Sequence, residues 1–114
     1  MKPTDLEQAL LAAFFTDSQI DPKEFVKSRD AIQVSDRSVC RGGYMTTFKR
    51  HECLRVGDSN QNYHYMDIAG TLNPEKIDVG FLFYIEKGYV TAIEGFTFDK
   101  AWPEKIACYE LIHD

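Results

Sequence analysis

No apolar run in the 114 residues approaches the ~18 needed to cross a bilayer, and the N-terminus turns polar within a few positions, so neither a membrane span nor a secretory leader is expected. Cysteine is scarce: Cys40, Cys53 and Cys108 are an odd number at wide spacing without a Cys-x-x-Cys pair. That pattern argues against a disulfide framework and a zinc knuckle, and reduced thiols in a cytoplasmic protein are the expectation. Catalytic signatures are missing as well. There is no Gly-x-Ser-x-Gly turn, no glycine-rich phosphate loop and no His-Glu-x-x-His helix. Basic residues are few, 13 Lys/Arg against 18 Asp/Glu. The imbalance is uneven, with residues 1–56 summing to +1 and residues 57–114 to −6. An acidic second half repels phosphates and attracts Lys/Arg-rich surfaces, so a basic protein is a better partner than nucleic acid.

What is present describes one domain, residues 1–114, large enough to bury roughly two thirds of the surface of its unfolded chain. Thr4-Asp5-Leu6-Glu7 reads as a capping box ahead of the stripe Leu6, Ala9, Leu10, Ala13, Phe14, which predicts an amphipathic helix over 5–15. Asp21-Pro22-Lys23-Glu24, with Ile20 and Phe25 placed as a hydrophobic staple, predicts a short helix over 22–29. Beyond Asp30 the period shortens to two. Strands are expected around Ile32–Val34, Tyr44–Phe48, Cys53–Val56, Tyr63–Ile68 and Val79–Ile85. A tight turn at Glu86-Lys87-Gly88, with Gly88 at positive φ, leads to a further strand over 89–98, and a last one covers 106–112. The fold class is α+β, with two N-terminal helices packed on one face of a twisted, mainly antiparallel sheet of five to six strands.

His51 and Cys53 would share a face of one strand, but two side chains do not make a metal site, and neither metal nor cofactor is expected. A Cys–His nucleophilic pair is equally unspecific, so no catalytic residue is assigned and the protein is not expected to be an enzyme. Glu94 is the most unusual acid. It stands mid-strand, on the face that alternation gives to Val90, Ala92, Phe96 and Phe98, where a carboxylate needs a partner or an opening to solvent. Asp67, Asp78, Asp99 and Glu104 lie in or beside loops of the acidic half. Aromatics gather there too, Trp102 among them, and aromatic anchors rimmed by acids are the composition of a protein-binding patch.

The run Gly80 to Val90, continued through Ile93-Glu94-Gly95-Phe96 to Trp102-Pro103, resembles a family of small bacterial proteins with an apolar strand, an acid-Lys-Gly turn, a strand ending in Glu-Gly-aromatic and a Trp-Pro corner. The helix around Leu10-Leu11-Ala12-Ala13-Phe14-Phe15 looks similar too. Some proteins of this kind are immunity proteins of contact-dependent inhibition and other polymorphic toxin systems. The resemblance implies a cytoplasmic protein that neutralises a cognate, basic toxin domain, such as a nuclease, by binding it. The acidic residues Asp67, Asp78, Glu94, Asp99 and Glu104, with Trp102, are the expected contact set. A second expectation is a small-ligand or regulatory binding module with an apolar pocket lined by Phe and Tyr. A third is a small hydrolase using Glu94 or His64 as general base.

Overall fold

The Thr4–Glu7 capping box forms as its sequence requires: the Thr4 amide donates to Glu7 Oε1 at 2.8 Å and the Glu7 amide donates to Thr4 Oγ1 at 3.2 Å. Helix α1 (Asp5–Asp17) starts there and buries Leu6, Leu10, Leu11, Ala13, Phe14 and Phe15. The computed structural model describes residues 1–17, 23–57, 62–98 and 100–113, so the Ile20 staple and the Asp21-Pro22 start of the second helix lie outside the described residues. Helix α2 (Lys23–Ser28) contributes Phe25, whose ring stacks on Phe15 at 4.9 Å.

Six strands follow: β1 (Val34–Cys40), β2 (Gly43–Phe48), β3 (Tyr63–Asn73), β4 (Ile77–Glu86), β5 (Tyr89–Thr97) and β6 (Cys108–His113). They form one antiparallel sheet in the order β1-β2-β5-β4-β3-β6, an α+β architecture. The β4–β5 hairpin closes on Lys87 and Gly88, at φ 52° and 86°, the two positive values that a two-residue type I′ turn demands. The peptide between Asn73 and Pro74, in the β3–β4 turn, is cis.

Register assigns every side chain to a face. On β4, Ile77, Val79, Phe81, Phe83 and Ile85 are buried and meet the helices; Phe14 stacks on Phe83 at 5.0 Å. Asp78, Gly80, Leu82, Tyr84 and Glu86 point the other way.

Three expectations differ from the structure. The strand expected around Ile32–Val34 starts only at Val34 and runs on to Cys40, while Ile32 caps a 3-10 turn over Arg29–Ala31. Cys53 to Val56 is not a strand: Glu52–Leu54 forms a 3-10 turn, and only Arg55 bridges to Tyr89. His51 therefore does not share a strand face with Cys53; its Nδ1 accepts the Cys53 amide at 3.0 Å and caps the turn. Val90, moreover, does not share a face with Glu94. An irregularity between Tyr84 and Ile85 offsets the pairing, so Val90 faces Ile85 in the core while Ala92 stays opposite Tyr84. One extra residue in one strand reverses alternation beyond it.

Candidate functional site

Among the described residues, nothing covers the face of the sheet opposite α1. Paired residues place Asp36, Ser38 and Cys40 of β1 beside Thr47, Met45 and Gly43 of β2, followed by Ala92, Glu94 and Phe96 of β5 and then Tyr84, Leu82 and Gly80 of β4. His64, Ala69 and Thr71 of β3 continue it, and Cys108, Glu110 and Ile112 of β6 end it. Its centre is apolar, with Met45, Leu82 and Phe96 half-buried, while Phe98 is 68% and Ile112 63% exposed. Gly80 lets the Phe96 ring lie flat on the strand, since a Cβ there would meet the ring at 2.5 Å. Phe98 packs edge-on against Phe96, 5.7 Å between centroids.

Around this centre stand the carboxylates of Asp36, Asp78, Glu86, Glu94 and Glu110. Arg37 is the only lysine or arginine in the six strands, and it points to the helix side. At the hairpin end Arg50 packs over the Tyr89 ring, 4.5 Å from its centroid. Glu94 accepts a hydrogen bond from the Tyr84 hydroxyl at 2.7 Å, and His64 sits edge-on to that ring at 4.8 Å. The bond to Glu94 pushes the Tyr84 phenol pKa upward, with burial and the carboxylate's charge adding to it. A phenol whose proton is held this firmly is the opposite of an activated nucleophile.

Of the residues singled out from sequence, Asp78 and Glu94 are on this open face. Asp78 accepts from Thr71 Oγ1 at 3.2 Å. Asp67 belongs to β3, but its side chain lies outside the described residues, as does all of Asp99. Trp102 and Glu104 are elsewhere. Trp102 is 8% exposed on the helix side, stacked on Tyr44 at 4.8 Å and edge-on to Phe81 at 6.5 Å. It is a packing residue of the core, not an anchor on the acidic face. Glu104 is exposed beside it, at the mouth of a cleft next to α1. Asp36, Glu86 and Glu110 were passed over in the sequence because the strand pairings that align them with Glu94 join distant segments.

That cleft has its own polar centre, which no local pattern announces. Glu7 is fully buried, and each of its oxygens takes two donors: Thr4 N and Arg37 Nη2 on Oε1, Arg37 Nε and Thr46 Oγ1 on Oε2. Desolvation pushes the Glu7 pKa up, but the bonds from Arg37, Thr46 and Thr4 together with the Arg37 charge outweigh it, and the pKa is lowered. Tyr44 lies alongside with its hydroxyl buried, and burial first, then the charge of Glu7, raises the phenol's pKa.

The thiols sort by exposure. Burial raises the Cys53 pKa to about 11, whereas Cys40 and Cys108 are exposed. An aromatic disulfide reagent is expected to titrate Cys40 and Cys108 in the native protein, and Cys53 only after denaturation. Rapid native reaction of all three would contradict this placement. Among the described residues no cluster of three or more His, Cys, Asp or Glu converges to hold a metal, and no helix is long and apolar enough to cross a membrane. No family model, curated protein or solved structure matches the chain, so its site must be read from its own geometry.

Proposed function

We propose that the protein is a cytoplasmic immunity protein that binds and neutralises a bacterial toxin domain through the open face of its sheet. The reading rests on one observation: an uncovered apolar centre, Met45, Leu82 and Phe96, ringed by Asp36, Asp78, Glu86, Glu94 and Glu110 with no strand lysine or arginine beside them. Its occupant is a basic protein domain, because that is the surface such a field attracts and orients. An apolar centre excludes water once covered, and the acids around it speed encounter and fix orientation. For a nuclease toxin, the same carboxylates would occupy the basic groove that otherwise holds phosphates.

The test is association with the toxin domain encoded immediately upstream, by calorimetry and stopped-flow at low and high salt. Tight one-to-one binding that weakens with salt is expected. Asp78→Lys/Glu86→Lys should slow association about tenfold at low salt and flatten its salt dependence. The same reversal at Asp5 and Asp30, away from the open face, should change little. Absence of binding, or equal sensitivity to both pairs of substitutions, would overturn the assignment of this face.

A further inference from the structure

On the other side of the sheet, a cleft of about 600 Å³ opens between the start of α1, the β1–β2 end of the sheet and the segment through Trp102-Pro103. Its volume is that of a small-molecule site. Leu6, Trp102, Ile106 and Tyr109 make its apolar walls, and the Tyr109 hydroxyl ties β6 to the helix start by donating to Asp5 O at 3.1 Å. The charged side chains that line it are Asp5, Glu7, Arg37 and Glu104. We infer that this cleft binds a small organic cation, a protonated amine on a compact apolar body, whose ammonium group is drawn in by the carboxylates of Asp5 and Glu104.

The walls and the charge balance together select that chemistry. A hydrophobic cleft alone takes a neutral molecule; this one carries three carboxylates against a single guanidinium. Glu7 and Arg37 are closed on each other, with both Glu7 oxygens doubly bonded, and present no unmatched charge to a ligand. The excess is therefore that of Asp5 and Glu104. Both are exposed, so they reach a ligand without being uncovered, and among the described residues neither has an ion-pair partner. Apolar walls beside a carboxylate lower the local dielectric and strengthen its pull on an entering ammonium group relative to open water. The start of α1 acts in the opposite sense, since a helix N-terminus favours anions, but its partial charge is about half a unit and its first turn already holds Asp5 and Glu7. Aromatic walls add to the selection, because ring faces are electron-rich and accept the apolar body of a cation more readily than that of an anion.

The chain supplies its own reporter, because Trp102 is its one tryptophan and stands in the cleft wall. Intrinsic fluorescence is titrated at neutral pH with three molecules of similar shape: benzylamine, which is protonated there, benzyl alcohol and benzoate. Benzylamine should give a saturable one-to-one change, with benzyl alcohol about tenfold weaker and benzoate weaker still. Added salt should weaken benzylamine and leave benzyl alcohol unchanged. Asp5→Asn/Glu104→Gln keeps the shape of two exposed side chains, and should bring benzylamine down to the affinity of benzyl alcohol without altering the latter. No saturable response to benzylamine, or equal affinity for benzylamine and benzyl alcohol, would overturn the inference. So would a double variant that binds benzylamine like the wild type. Benzoate binding as tightly as benzylamine would also overturn it, since Arg37 and the helix start would then set the charge of the site. Toxin binding at the open face is independent of these results.

Discussion

Arg37→Ala is expected to cost about 3 kcal/mol of folding stability at neutral pH, more than Glu7→Gln, although both substitutions break the same ion pair. The asymmetry follows from where water reaches. The Arg37 side chain retains 23% of its exposure, so without Glu7 its guanidinium can turn toward solvent. Glu7 has none. Without Arg37 its carboxylate keeps only the Thr46 hydroxyl and the Thr4 amide, and a buried charge short of its counter-ion must be desolvated at full cost or take up a proton. The two variants, compared by urea denaturation, should therefore rank Arg37→Ala below Glu7→Gln. The reverse order would mean that the carboxylate is reached by water after all.

The same pair sets an acid limit. Glu7 titrates in the folded protein below its ordinary value of 4.5. Protons are thus bound more readily by the unfolded chain, and the contribution of Glu7 is complete above about 4.5 and is lost as pH falls through the lower, folded value. In Arg37→Ala the folded pKa is expected to rise, so protonation relieves the variant. Its deficit relative to the wild type should shrink between about pH 7 and about pH 3. A deficit that stays constant would assign the loss to packing of the arginine stem and not to charge.

Glu7 also marks how far the sequence reaches. Its capping role is written locally, three residues from Thr4, and was legible. Its burial was not, because the stripe read from the sequence, Leu6, Ala9, Leu10, Ala13 and Phe14, leaves out Leu11 and Phe15, which at i+4 and i+8 from Glu7 are buried along the same side of α1. Its partner was not, because Arg37 is on β1 and the sheet alone brings it near. The α+β class, the first helix and the β4–β5 hairpin follow from short-range patterns that no long-range contact overrides. The open face does not. Glu94 was singled out correctly as a carboxylate in a strand, but the irregularity between Tyr84 and Ile85 moved Val90 to the core, and periodicity cannot see an inserted residue. The burial of Trp102 on the helix side is hidden from the sequence for a related reason. Its neighbour is a glycine, whose effect depends on what lies over it.

That neighbour supplies the second large effect. Trp102→Ala is expected to destabilise by about 3–5 kcal/mol, the range for deleting a buried large aromatic side chain. Gly95→Ala should cost about 1–3 kcal/mol by the opposite route, overpacking. A Cβ at Gly95 would stand 2.6 Å from Trp102 Cη2 and 2.8 Å from Tyr44 Cδ1, inside the contact limits of two rings that are themselves buried. Neither ring can move away freely, because Trp102 is held by its amide on Arg41 O at 2.8 Å and Tyr44 by its place in β2. Glu94-Gly95-Phe96 and Trp102-Pro103 are thus parts of one device: the glycine seats the indole against the sheet, while Glu94 and Phe96, its neighbours on either side, turn to the open face. The double variant tests this directly. With the indole gone, the new methyl gains room on one side and still meets Tyr44 on the other, so the two losses should add to less than their sum, by on the order of 1 kcal/mol. Strict additivity in urea denaturation would mean that the indole does not rest on Gly95, and the link between the two motif segments would fall with it.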